Sequence, residues 1–206
     1  WRWDTDWFWC SRAFGAQNPR IRRVWPKRWL RSDVYWKLIR LENRYHVAAR
    51  LDARKGRPPR ERVVQDVEVP LDRTAEFLRW FLAEVPIEPI WLCPLQLRDS
   101  GPSALYADTG ASPWPLYPLR RGVPYVNVGF WSTVAIDRGR ADGDVNRAIE
   151  RKVTELGGHK GLYSDAYYGE DEFWALYGGE DYHTAKQRFD PQARLLDLYA
   201  KAVQRR

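Results

Sequence analysis

At 206 residues, with 44% hydrophobic and 15% aromatic residues, the chain can build one large or two small packed domains and is excluded from the disordered class. Its two cysteines, Cys10 and Cys93, are too few for a disulfide framework or a zinc site, and no signal peptide or bilayer-length apolar run occurs, so a reducing, cytoplasmic setting is expected. The net charge of +7 is concentrated between Arg20 and Arg62, which makes acidic surfaces the expected neighbours.

The chain contains no Met and opens at Trp1 in a dense aromatic run, so it is expected to be the C-terminal piece of a longer protein. Residues 1–10 alternate aromatics with Arg2, Asp4 and Asp6, the period of a strand with one buried face. Residues 18–29 are broken by prolines into a basic, aromatic connector. Ser32 is placed to cap a helix with Val34, Leu38, Leu41, Tyr45 and Ala48 on one stripe, stopped by Gly56 and Pro58-Pro59. Arginines and lysines interleaved with Trp and Tyr suit an anionic membrane or a nucleic acid, and equally the wet face of a packed helix. No nucleic-acid-binding motif is present, and nucleic acid is not expected as a partner.

From Arg62 the pattern becomes regular. Residues 62–69 predict a strand ended by Pro70, and Asp72 a helix burying Leu71, Ala75, Leu78, Leu82 and Val85. Residues 90–97 predict a second strand. Residues 99–124, rich in Pro, Gly and Ser, predict a long loop with a short strand possible at 104–108. A strand over 125–134 and a helix begun at Asp144, burying Val145, Ile149, Val153 and Leu156, come next. Gly157-Gly158 closes that helix, and Leu162–Tyr168 predicts a final strand. The order strand, helix, strand, strand, helix, strand is the split βαβ of ferredoxin-like α+β folds, an antiparallel sheet with helices on one face. Short helices are expected over 170–177, 179–188 and 193–203.

The face opposite the helices is the candidate site. In the last strand the two-residue period puts Tyr163, Asp165 and Tyr167 on one face and Leu162, Ser164, Ala166 and Tyr168 on the other. In the strand over 125–134, Val126, Val128 and Phe130 meet the helices, so Tyr125, Asn127, Gly129 and Trp131 face away. In the strand over 62–69, Val63, Val67 and Val69 turn inward and Asp66 and Glu68 outward, with Gln65 awkwardly on the apolar side. Cys93 fits either face, and Pro94 marks an edge or bulge. Gly129 removes a side chain from the middle of the open face, which lets a planar ligand approach the backbone. His159 is either a proton-transfer group or an ordinary turn residue. No phosphate-binding glycine loop, nucleophile elbow, metal-ligand helix or dinucleotide fingerprint occurs, so no metal is expected and an enzyme complete in this length cannot be assembled.

The segments Arg60-Glu61-Arg62-Val63-Val64-Gln65-Asp66-Val67-Glu68-Val69-Pro70, Pro89-Ile90-Trp91-Leu92-Cys93-Pro94, and Leu162-Tyr163-Ser164-Asp165 with Glu172-Phe173-Trp174 resemble the delta(24)-sterol reductase branch of the vanillyl-alcohol oxidase type flavoproteins. The first ten residues and 182–199 are similar to bacterial FAD-linked oxidoreductases of that branch. The resemblance implies a two-domain flavoenzyme in which an N-terminal domain, absent from this chain, holds most of the FAD. Residues 60–206 then form the substrate and cap domain, residues 1–59 a connector, and the isolated chain is expected to be inactive.

On that reading the flavin lies at the open face, near Asn127, Gly129, Asp66 and Cys93. Tyr125, Trp131 and His159 line the substrate side, and Tyr163 or Tyr167 passes a proton while Asp165 tunes the phenol. A sterol-like or other lipidic alkene with NADPH as reductant, and a sugar or alcohol to be oxidised, are the alternative substrates. A non-catalytic module that binds an acidic partner, or associates peripherally with a membrane surface, is the alternative of another class.

Overall fold

The structure, a computed structural model, describes residues 32–85, 87–97, 116, 118–120 and 122–205, together with Arg23 and Trp29. The strand expected over 1–10, most of the 18–29 connector and the short strand expected at 104–108 lie outside the described residues. The chain divides into two compact units, Trp1–Pro59 and Arg60–Arg206.

In the first unit the basic segment forms two helices, α1 (Ser32–Tyr45) and α2 (Val47–Arg54), where one was expected. The break is at His46, whose φ of 48° is a left-handed conformation that cannot continue a helix. Leu41, Tyr45, Val47 and Leu51 are exposed, so the apolar stripe read from the sequence is not a buried one.

The second unit contains β1 (Arg60–Pro70), α3 (Leu71–Glu84), β2 (Ile90–Leu95), β3 (Tyr125–Ala135), α4 (Asp144–Glu155) and β4 (His159–Lys160). They are followed by α5 (Glu170–Leu176), α6 (Gly179–Phe189) and α7 (Leu198–Ala202). The strands form one antiparallel sheet in the order β2-β3-β1-β4. The α+β class and the split βαβ element order are those the periodicity predicts.

The core lies between the sheet and α3 and α4. Val63, Val67 and Val69 of β1 and Val126, Val128 and Phe130 of β3 meet Phe77, Phe81, Val145, Ile149 and Val153. The stripe of α4 is the expected one. That of α3 is rotated: Thr74, Phe77 and Phe81 are buried while Leu71 and Leu82 are exposed, because the two phenylalanines offer more apolar area to the sheet than the leucines beside them.

The inward position of Gln65 is explained by a buried polar network. Glu61, on the same face of β1, accepts from the backbone N–H groups of Val145 (3.2 Å) and Asn146 (2.8 Å), so the first turn of α4 is capped from the sheet. The Asn146 side chain donates to Glu61 at 2.6 Å and to the Arg62 carbonyl at 2.9 Å, and accepts from Gln65. A polar residue is tolerated there because hydrogen bonds offset its burial.

The strand expected over Leu162–Tyr168 is absent. The β4 ladder covers only His159 and Lys160, and the last contact is the Gly161 N–H donating to the Asp66 carbonyl at 2.9 Å. Beyond it the backbone groups a strand would use are taken by a buried ion pair: Lys160 Nζ donates to the Asp165 carbonyl at 2.5 Å, and Glu150 accepts from the Tyr167 N–H at 3.1 Å. The segment turns away from the sheet and delivers Ala166 and Tyr168 into a second core with Phe173 and Tyr177. The third terminal helix starts at Leu198, capped by Asp197, rather than near Ala193, because Asp190 accepts from the Arg194 and Leu195 N–H groups and holds them in a turn. Among the described residues no helix is long and apolar enough to cross a membrane.

Candidate functional site

Residues directly opposite each other on paired strands point to the same sheet face, and on the face away from α3 and α4 the register assembles two rows. The first takes one residue from each strand: Cys93 of β2, Asn127 of β3, Glu68 of β1 and His159 of β4. The second, one pleat along, is Trp91, Gly129 and Asp66. Cys93, which the sequence left on either face, is therefore on the open one.

In the first row Glu68 is 4% and His159 3% exposed. Glu68 Oε1 accepts from Asn127 Nδ2 at 2.9 Å, and its Oε2 lies 3.4 Å from His159 Nε2. Burial, reinforced by the neighbouring Asp66 charge, pushes the Glu68 carboxyl up to about 7. Burial alone pushes the His159 imidazole down to about 4. Beside them Tyr125 faces the same way but is sealed from water, its hydroxyl accepting from Arg120 N and Nε at 3.3 Å and its ring edge-on to His159.

In the second row a Cβ on Gly129 would overlap Asp66 Oδ1. The glycine therefore admits, first of all, the Asp66 carboxylate over β3, a close approach the sequence reading assigned to a planar ligand. Trp91 and Trp131 stand on either side of this point, each 57% exposed, and Tyr163 is 63% exposed. Partial burial and then the negative charge of Asp66, to which its hydroxyl is hydrogen-bonded, push the Tyr163 phenol up. A groove of about 340 Å³ is lined by Val64, Trp131 and Tyr163, together with Arg62, Asn146, Ser164 and Asp165.

The sequence-derived site is thus brought together in part. Asn127, Gly129, Asp66, Cys93, Trp131, His159 and the sealed Tyr125 share the open face, and Tyr163 reaches it from the loop after β4. Tyr167 does not: it sits at the start of α4, where its ring fills the space beside Gly143 and lies under the Arg147 and Arg205 guanidinium groups at 5.3 and 5.4 Å. Asp165 pairs with Arg62 (3.4 Å) and Arg205 (3.6 Å), and the carboxylate beside the Tyr163 phenol is Asp66. Both corrections follow from the loss of the strand, since without its period nothing aligns positions 163, 165 and 167.

Glu68 was not among the expected site residues. The signal for it was present, because the alternation of β1 turns it outward with Asp66; its partners could be known only from the register with Asn127 and His159.

The chain is 27% identical over 139 residues to the human delta(24)-sterol reductase, a stretch covering 68% of this chain and 25% of that protein. It is 28% identical over 149 residues to the Arabidopsis thaliana enzyme of the same name. The chain is similar to the delta(24)-sterol reductases over about two thirds of its own length. A Caenorhabditis elegans delta(24)-sterol reductase homologue is 32% identical over 120 residues, 57% of this chain and 20% of that protein. The expected resemblance to the delta(24)-sterol reductases is borne out. The chain spans about a quarter of the length of the sterol reductases it matches. No protein-family model and no solved structure matches it.

Proposed function

We propose that this chain is the substrate-covering part of an FAD-dependent oxidoreductase that transfers hydride between the flavin and a sterol-like or other lipidic alkene. The observation that carries the reading is the open sheet face, where exposed Trp91 and Trp131 flank a carboxylate and an amide, in a chain similar to proteins named delta(24)-sterol reductase. An apolar, ring-shaped substrate or a planar ring system fits such a surface: the aromatics offer area and the few polar groups fix orientation.

The residues fit the cofactor in kind. Gly129 makes room for the Asp66 carboxylate over β3, and with Asn127 and Cys93 that carboxylate puts polar atoms on the face between the tryptophans. Bound FAD, held mainly by a domain outside this chain and reduced by NADPH, would supply the hydride. This chain's own share is to seat the alkene against Trp91, Trp131 and the groove beside Tyr163, and to deliver the accompanying proton. Tyr163 is the proton donor of this reading, because its phenol lines the groove; the neighbouring Asp66 charge holds the proton more tightly, so donation is favoured when negative charge near the phenol falls.

The test is made on the full-length protein. Flavin absorbance after purification, and reoxidation of the reduced flavin by a lipidic alkene, are the expected results. Reoxidation by no alkene, with flavin reduced instead by a sugar or alcohol, would move the reading to a dehydrogenase or oxidase. A colourless protein that cannot be reconstituted with FAD would overturn it in favour of a non-catalytic binding module.

A further inference from the structure

We infer that the buried Glu68–His159 pair beneath the open face carries one proton, on the carboxyl, in mildly acid solution, and that the two act on the site through Asn127 and Tyr163 as positioning residues. The inference starts from geometry. The two residues are directly paired across β1 and β4, both side chains are sealed from water, and Glu68 Oε2 and His159 Nε2 face each other at 3.4 Å, an ion-pair distance at which neither atom is hydrogen-bonded. Among the described residues His159 is the ion-pair partner of Glu68. Without an added proton the pair would carry a net negative charge in a dry setting, beside a second negative charge on Asp66. One proton makes the pair neutral. With that proton on Oε2 facing His159 Nε2, the other oxygen is left as a carbonyl acceptor, which is the role Oε1 plays toward Asn127.

The groups that act on the pair come from every neighbouring element. Asp66 acts from the same strand, Asn127 and Tyr125 from β3, Tyr163 from the loop after β4, and Tyr177 from α5's end. The influence on Tyr163 gives the pair its consequence: negative charge on Glu68 raises the proton affinity of that phenol. A protonated pair therefore leaves Tyr163 a better acid, and proton loss from the pair weakens it. The two side chains face each other at 3.4 Å, so a change of charge on the carboxyl is read in the ring signals of His159.

The inference rests on the oxidoreductase reading only in its link to the site, and the titration below does not require a flavin. The whole chain, labelled with carbon-13 at glutamate and nitrogen-15 at histidine, is titrated by NMR from acid to mildly alkaline pH. The expected result is a Glu68 carboxyl step near 7, with the same step in the His159 ring signals. In Glu68→Gln that step vanishes from His159 while the signals of His46 and His183 are the same in both proteins. A Glu68 carboxyl that titrates in the ordinary carboxylate range in the unaltered chain would overturn the protonated pair, as would His159 signals identical in both proteins. In the flavin-loaded full-length protein, reoxidation by alkene should fall as pH rises through about 7, and Glu68→Gln should lose that limb with flavin content unchanged. A limb that persists in the variant would overturn the action on the site. Failure to take up flavin at all would count against the oxidoreductase reading and leave the NMR titration to decide the pair.

Discussion

Lys160 Nζ lies 2.9 Å from Glu150 Oε1, and both side chains are buried. The pair also holds the loop after β4, through the Asp165 carbonyl on Lys160 and the Tyr167 N–H on Glu150. Removing one partner leaves the other charge buried without compensation, so Lys160→Met is expected to destabilise the unit by about 3–5 kcal/mol in urea denaturation. Lys160→Met combined with Glu150→Gln should recover part of that loss, because the glutamine still accepts from Tyr167 and no charge remains buried. A double variant no more stable than Lys160→Met would show that packing, not charge, sets the cost.

The pH dependence of stability should separate Glu68 from His159. The Glu68 carboxyl is raised from 4.5 to about 7, so its contribution is fully present below 4.5 and is lost as pH rises through 7. The His159 imidazole is lowered from 6.5 to about 4, so its contribution is present above 6.5 and is lost as pH falls through 4. The two slopes oppose each other between those limits and largely cancel. His159→Gln should therefore gain stability as pH falls from 7 toward 4.5, and Glu68→Gln should lose stability as pH falls from 6.5 toward 4, each by on the order of 3 kcal/mol. Thermal melts across this window check the signs.

Two glycines of the site should respond differently to alanine. At Gly158 an added Cβ would overlap the Glu68 backbone carbonyl, which the β1 ladder fixes in place, so Gly158→Ala should cost more than about 3 kcal/mol. At Gly129 the obstacle is the end of the Asp66 side chain, which can swing away. Gly129→Ala should cost about 1 kcal/mol or less and should lower the phenol pKa of Tyr163, read by ultraviolet titration, by removing its hydrogen bond to Asp66.

The two tyrosines of the loop after β4 should part company in the flavin-loaded full-length protein. Tyr163→Phe is expected to slow flavin reoxidation by alkene at least tenfold, about 1.4 kcal/mol of barrier, with flavin content unchanged. Tyr167→Phe, whose phenol is hydrogen-bonded to Arg205 at the start of α4, should change the rate by less than about twofold. Equal effects would mean that the loop as a whole, and not the Tyr163 phenol, serves the reaction.

The first unit is proposed to associate with anionic lipid. Trp36, Leu41, Val47 and Leu51 are exposed on α1 and α2 among Arg40, Arg44, Arg50 and Arg54. Co-sedimentation of the chain with phosphatidylserine vesicles at low ionic strength, weakened by salt, is the expected outcome. No binding even at low salt would return these residues to the role of a solvated face.

The α+β class, the order of the β1-to-β4 unit and the faces of β3 were legible in the sequence, because the two-residue period of Val126, Val128 and Phe130 buries them in one register; in β1, where Val64 lies on the face opposite Val63 and Gln65 turns inward, only the ladder with β3 settled the register. The sequence placed Asn127, Gly129 and Trp131 together by the same period. It could not decide the path after Gly161, where alternating aromatics imitate a strand but a buried Lys160–Glu150 pair competes for the backbone groups; that competition exists only once α4 and β4 are packed. Nor could it single out Glu68, whose surroundings come from Asn127, 59 residues away, and from His159 on a third strand. Local periodicity is written in neighbouring residues, whereas the Asn127–Glu68 hydrogen bond and a row of side chains across four strands depend on distances that only tertiary packing sets.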